Sequence, residues 1–452
     1  MQQRDKKSTE AQLNQLNLAL ENGAYGDARA ILNMDLPAVE VAHLLESSPP
    51  KERRILWELI DKDQGGKVLQ HLSEEISSDI LSKMDPQELV HATFGLDTDN
   101  TADLLQQLPD QVVQEVLRSM DSQNRQRLET VLSFPEDTAG GLMNTDTITV
   151  RPDIPLDVVL RYFRMHPEIP EMTDNFPVVN RLGKVIGLLP VTQILVSNPD
   201  ATVSDIMKTD FFSLNANTSD VDVAHLFERH NLVSAPVIND AGVLLGRITI
   251  DDVVDVIIED AEHSFMGMAG LDDDEDTFAP ILKSTRRRTL WLFINLLTAF
   301  TASYVIGLFE GTLEKVVALA ILMPIVASMG GIAGSQTLTL IIRGIALGHV
   351  SDKNSSWLLR RELVVALLNG IVLSLVVAVI AAWWFSDPKM GLVIALAVLI
   401  NLLFAALAGV SLPMLLRKAN IDPAIAGSVV LTTVTDVVGY VAFLGLATIF
   451  YA

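Results

Sequence analysis

Gly427-Ser-Val-Val-Leu-Thr-Thr-Val-Thr-Asp436-Val-Val-Gly-Tyr440 stands inside the last apolar stretch of the chain, Ala424 to Tyr451. A run of roughly 20 or more such residues is long enough to cross a bilayer as one helix. A carboxylate at mid-membrane costs at least ~2.5–3.5 kcal/mol, so Asp436 is expected to face a protein interior or a wet pathway. The bland alternative is a protonated or hydrogen-bonded packing residue. Its neighbours favour a pathway. Ser428, Thr432 and Asp436 follow at i, i+4 and i+8, lining one helix face with oxygen and nothing softer. Oxygen-only lining suits a hard cation such as Mg2+ or Ca2+. The stretch predicts a cation-conducting membrane protein.

Working outward, four more apolar spans precede this one, over about 289–309, 316–342, 362–385 and 390–416. With the N-terminus inside, Arg286–Arg288, Arg343, Lys353, Arg360, Arg361, Arg417 and Lys418 all fall on the cytoplasmic side, and only Lys315 and Lys389 fall outside. The C-terminus is then expected outside. Glu310 and Glu314 reach the outer mouth, where they gather cations or are simply wetted. The second span carries Pro324-Ile-Val-Ala-Ser-Met-Gly330-Gly331-Ile-Ala-Gly334-Ser-Gln336. This composition predicts a kinked, pore-adjacent helix with exposed carbonyls, close packing by small residues being the structural alternative.

The soluble part is acidic. Residues 1–284 hold 49 of the 56 acids and 22 of the 33 basic residues, so this part alone carries −27 against a whole-chain net charge of −23. Such a surface repels nucleic acid and attracts divalent cations. The chain has no cysteine, which excludes disulfides, thiolate metal sites and a cysteine nucleophile. No apolar h-region marks a cleavable signal at the N-terminus. No P-loop, HExxH or nucleophile elbow appears, and His166, His230 and His263 lack triad company, so an enzyme is not expected.

Residues 1–35 read as a helical arm. From 36 to 134 an apolar residue followed by a helix-starting residue recurs every 12 positions: Ile60-Asp61, Leu72-Ser73, Met84-Asp85, Leu96-Asp97, Leu108-Pro109, Met120-Asp121 and Leu132-Ser133. Asp85-Pro86-Gln87-Glu88 joins an N-cap, a Pro at N1 and a capping-box Glu. Units that cannot bury an apolar face alone stack into an all-α superhelical solenoid.

Residues 137–200 and 201–258 repeat one α/β pattern. Met143, a strand, a helix, then Pro177 to Gly183 and Gly187 is matched by Met207, a strand, a helix, then Pro236 to Gly242 and Gly246. This order resembles the CBS domain, whose pairs form a Bateman module. The resemblance implies an adenosine-nucleotide site, ATP for example, where Ser/Thr and Asp hold phosphate and ribose. Unit two keeps these as Thr249 and Asp252; unit one has Pro190 and Gln193 instead, so at most one site is expected, with an empty structural pair as the other reading.

An acid-rich connector over 251–284 follows, with Asp251, Asp252, Asp255 and Glu259, then Asp272 to Asp276. Charge runs usually form a solvated face. Acids packed against acids repel unless cations sit between them. Asp99 and Asp103, at i and i+4 of one solenoid helix, form a second such face.

Helical solenoid, CBS pair, acidic connecting helix and five α-helical spans (285–452) together resemble the MgtE family of magnesium channels. Its most specific pieces are Pro324…Gly330-Gly-Ile332-Ala-Gly334-Ser-Gln336…Arg343, Leu412-Pro413…Arg417, Asp422-Pro423-Ala424 and Thr435-Asp436-Val437. The sequence departs from the family where Ile332 replaces an Asn, Ser428 an Asn and Thr432 a small Ala. The resemblance implies a homodimer in a bacterial inner membrane, with a pore on the dimer axis built largely from the second and fifth spans. It implies hydrated Mg2+ held at Asp436, and closure when Mg2+ occupies the cytosolic acids. Two alternatives stand beside it: a CBS-type adenylate-sensing membrane protein, and a proton-coupled exporter of divalent metals.

Overall fold

The twelve-residue recurrence sets helix starts in the computed structural model, which describes residues 12, 15–16, 18–20, 22–166, 169–170, 172–271, 276–347, 349–350, 354–419 and 421–451. The chain divides into two compact units, residues 1–260 with 274–280, and residues 261–273 with 281–452.

In the first unit, α1 (Tyr25–Ala30), α2 (Ala38–Glu46) and α3 (Pro50–Leu59) lead into α4 (Lys62–Leu69), α5 (Glu74–Leu81), α6 (Pro86–Thr93), α7 (Thr98–Gln106), α8 (Asp110–Ser119) and α9 (Ser122–Val131). Each of α4 to α9 begins one residue after Asp61, Ser73, Asp85, Asp97, Pro109 or Asp121. At α6 the Glu88 amide donates to Asp85 and the Asp85 amide donates back to Glu88, a complete capping box. The last repeat does not hold: Leu132-Ser133 starts no helix, and the chain turns away. Pro135 is the reason, because it disfavours the helical region at Phe134. The short helices share a core that includes Val68, Leu69, Leu81, Leu89 and Leu105, each 2% exposed or less. Gly66 allows the closest approach within it, since a Cβ there would stand 1.8 Å from the Ala92 carbonyl oxygen.

Not every acid of the connector is solvated. Asp276 is buried against α3, its carboxylate 2.8 Å from Arg53, and the two side chains are 5% and 8% exposed. The Asp276 amide donates to Glu75 and Arg53 Nε donates to the Leu45 carbonyl. Removing one partner of such a pair strands a buried charge and costs about 3–5 kcal/mol. Arg53→Ala is therefore expected to lower the thermal unfolding midpoint of the soluble unit clearly, and Arg53→Met with Asp276→Leu to recover most of the loss. Asp272, Asp273, Asp274 and Glu275 lie outside the described residues.

The two CBS-type repeats each contribute an antiparallel hairpin: β1 (Asn175–Val179) with β2 (Val185–Pro190), and β4 (Ser234–Ile238) with β5 (Leu244–Thr249), β3 (Leu214–Asn215) lying parallel to β4. Gly183 and Gly242 turn the hairpins at φ +75° and +78°, where an L side chain is strained. The repeats interlock in a way their linear order does not suggest. Met143 of unit one packs on Gly246 of unit two, and Met207 of unit two packs on Gly187 of unit one. A Cβ on Gly246 would meet the Asn144 carbonyl at 2.6 Å, where Asn144 bridges Arg247.

In the second unit five helices are long and apolar enough to cross a membrane: Ile281–Gly307, Ala318–Ala346, Ser355–Phe385, Pro388–Lys418 and Pro423–Tyr451. They are called the first to fifth spans below. Several extend beyond their apolar cores, the first beginning before Arg286. The fourth is the most buried, with the second, third and fifth packed on it. A short helix, Glu310–Lys315, follows the first span and is tied to the fifth by the Thr312–Thr448 hydroxyl pair at 2.7 Å. The chain is thus a multi-pass membrane protein with a soluble N-terminal part.

Candidate functional site

The fifth span divides its faces cleanly. Gly427, Leu431, Thr435 and Gly439 are buried toward the bundle. Ser428 and Asp436 are partly buried and Thr432 is exposed, so the three predicted oxygen donors share the face the bundle leaves open. The Thr432 hydroxyl donates to the Ser428 carbonyl at 2.9 Å. Ser428 and Thr432 line a cavity of about 360 Å3 with Arg288, Trp291, Asn295 and residues Ala269–Leu271, which follow the connecting helix. Asp436 lies two turns further along the helix from Ser428 and is not among the residues lining that cavity. Glu310 and Glu314 are both exposed on the short helix after the first span.

The second span is one helix from Ala318 to Ala346 with Pro324 inside it. Gly330 and Gly334 are buried by close packing: a Cβ on Gly330 would meet the Asn401 side chain at 2.2 Å, and one on Gly334 would meet Leu431 at 3.1 Å. Gly331 has nothing within 4 Å of a Cβ position, and neighbouring Ile332 is 55% exposed. Gln336 turns elsewhere, into a cleft of about 240 Å3 with Arg361, Glu362 and Asn369.

In the soluble unit the two acidic faces meet. Asp99 is 6% exposed, and its Oδ1 is buried with no hydrogen-bond partner among the described residues. Burial first, then the Asp252 charge, pushes Asp99 well above the usual carboxylate range. Burial and the charges of Glu136, Asp252, Glu259 and Asp255 push Asp103 up to about 7. Asp252 is raised to about 6, chiefly by burial, against the lowering effect of the Thr249 amide and of a hydrogen bond with Asp99. Burial and Asp251 raise Asp255, while His71 opposes them. Asp251 and Glu259 are exposed at the rim. Among the described residues no group of three or more acids and histidines is already arranged to hold a metal ion directly. All donors are carboxylate oxygens and one is orphaned, a set that fits a divalent ion carrying its own waters.

Sequence reasoning missed Arg247. It comes from β5, 6% exposed, with its Nη1 3.0 Å from the Thr173 hydroxyl. Burial lowers its pKa against the charges of Asp97, Asp251, Asp252 and Asp174. No spacing along the acidic helix could have revealed a cation from another element. Thr249 is 6% exposed, and its hydroxyl donates to Asp251 and Asp252, whose Oδ2 also accepts the Thr249 amide at 3.0 Å. The pair expected at phosphate and ribose is therefore already engaged with its own acids.

Three family descriptions match in order along the chain: the MgtE intracellular N domain over 36–137, CBS domains over 139–197 and 203–259, and the MgtE divalent cation transporter domain over 323–446. The magnesium transporter MgtE of Bacillus subtilis is 28% identical over 435 residues, 96% of each chain. That of Thermus thermophilus is 28% identical over 93% of this chain and 95% of its own. The solved cytosolic domain of the Mg2+ channel MgtE, in complex with ATP, aligns at 28% identity and TM-score 0.49, covering 53% of this chain and 98% of that one. With N domain, CBS pair and transporter domain present in that order, and relatives matched along nearly their whole length, the chain belongs to the MgtE family.

Proposed function

We propose that this chain is a gated, passive pathway for Mg2+ uptake across a bacterial inner membrane, closed when intracellular Mg2+ fills the acidic interface of the soluble unit. The observation that carries it is the open oxygen face Ser428–Thr432–Asp436 on a membrane-spanning helix. In a homodimer two such faces oppose each other, and a divalent ion relieves the repulsion of the paired Asp436 carboxylates. Mg2+ gives up its waters reluctantly, so Asp436 is assigned to hold the hydrated ion by accepting hydrogen bonds from those waters. Glu310 and Glu314 raise the local cation concentration at the outer mouth. The N-terminal domains then lie in the cytoplasm and the C-terminus outside.

Purified protein in liposomes, loaded with a Mg2+ indicator, tests this. Mg2+ entry down its gradient is expected with and without a pH difference. Entry only against a proton gradient would support the exporter alternative, and no flux at all would sink the transport reading.

Adenosine nucleotide, ATP for example, is a second ligand to test. Thr249 and Asp252 support one site per chain at most, and that site must compete with the Asp99–Asp252 contact. Calorimetry on the whole protein is expected to give no more than one nucleotide per chain, lost in Thr249→Val. Two sites per chain would overturn the reading of Pro190 and Gln193.

A further inference from the structure

Asn401 lies near the middle of the fourth span and has no solvent exposure. Its Nδ2 donates to the Val326 carbonyl of the second span at 2.8 Å, which fixes the orientation of the amide. Its Oδ1 is buried with no hydrogen-bond partner among the described residues. Two glycines from two other spans press on this one amide. A Cβ on Gly330 would stand 2.2 Å from Nδ2, and a Cβ on Gly439 would stand 2.7 Å from it. Gly439 follows Asp436 by three residues, less than one helical turn.

Stability alone gives no reason for an amide here. A leucine, of the same branching, would leave no polar oxygen unpaired in a dry interior. What the amide adds is a donor on the turn just after Pro324. Proline removes one backbone donor from that part of the second span and leaves it deformable. The Val326 carbonyl is held from outside the helix, by a group itself wedged against the fifth span.

Resting on the uptake reading above, we infer that Asn401 is a positioning residue of the pathway: its amide locks the Pro324–Gly330 turn of the second span to Gly439 of the fifth and so sets the opening beside Asp436. A hydrated ion is sensitive to that opening, so the residue acts on which ion passes as well as on how fast.

The test is Asn401→Leu in the full-length protein in liposomes, reading Mg2+ flux, the ratio of Mg2+ to Ca2+ flux, and the thermal unfolding midpoint. The expected result is an unfolding midpoint within a few degrees of wild type, with Mg2+ flux down at least tenfold or the ratio moved at least threefold. Gly439→Ala drives a methyl at the same amide from the other side and is expected to shift the ratio in the same direction. Asn401→Leu with wild-type flux and ratio overturns the proposal. If that variant does not fold, Gly439→Ala decides, and a wild-type ratio there overturns it too. Failure of both to fold would reduce Asn401 to packing, and the proposal falls. A wild-type protein that carries no Mg2+, or an Asp436→Ala variant that carries it normally, would instead overturn the uptake reading.

Discussion

Asp436→Ala is expected to cut Mg2+ flux at least about a hundredfold, a cost of about 2.7 kcal/mol in the barrier, while the protein still purifies folded. The reason is geometric. The side chain belongs to the face that the bundle leaves open, whereas Leu431, Thr435 and Gly439 supply the packing contacts on the other side. Truncation therefore removes charge from the pathway and little from the core. Asp436→Asn keeps the shape and discards the charge, so it is expected to fall nearly as far. If flux in either variant stays at the wild-type level, the ion does not pass Asp436. Ser428→Ala should have a smaller effect, because a hydroxyl offers the ion's waters a dipole where Asp436 offers a full charge.

How much of this was legible in the sequence follows from the range of the forces involved. The starts of α6 and α9 were readable because an N-cap acts within three residues, as where Asp85 and Glu88 satisfy each other wherever the helix sits. Asp61, Ser73 and Asp97, by contrast, mark helix starts without a side-chain cap. The five spans were readable because hydrocarbon demands a continuous apolar run. The acids Asp99, Asp103, Asp252, Asp255 and Glu259 could be found as two faces, since helical spacing is local. That they meet required the tertiary fold. For the same reason Arg247 entered the acidic cluster unseen, and Asp276, expected on a wetted run, is buried on Arg53 from 223 positions away. The crossing of Met143 onto Gly246 and the stop at Phe134-Pro135 likewise depend on partners or restraints that a repeat period does not encode. In the second span, composition could not name the neighbour of Gly330, which is Asn401, a single polar residue in another helix.

The acidic interface should respond to protons and to Mg2+ in opposite pH ranges. Asp99, Asp103 and Asp252 are all raised in the packed state, the latter two to about 7 and about 6, relative to about 3.9 for a free aspartate. A group raised on packing favours the packed state fully at low pH, and that contribution is lost as pH climbs through the raised value. Without divalent ions, protease protection of the soluble unit should thus be highest near pH 4. It should fall as pH climbs from there to about 7, by up to about 1.4 kcal/mol per group per pH unit, and level off above that. Mg2+ needs the ionised carboxylates, so it should restore protection at pH 8 and add little near pH 4. Asp99→Asn with Asp252→Asn removes the charge that both ligands act on, and should leave protection high at pH 8 with or without Mg2+. Sodium chloride at equal ionic strength is the decisive control, because screening of diffuse charge responds to both salts. Equal protection by the two salts, or a flat profile from about pH 4 to 7, would mean that the acids are a passive surface. Closure by Mg2+ would then have to be sensed elsewhere.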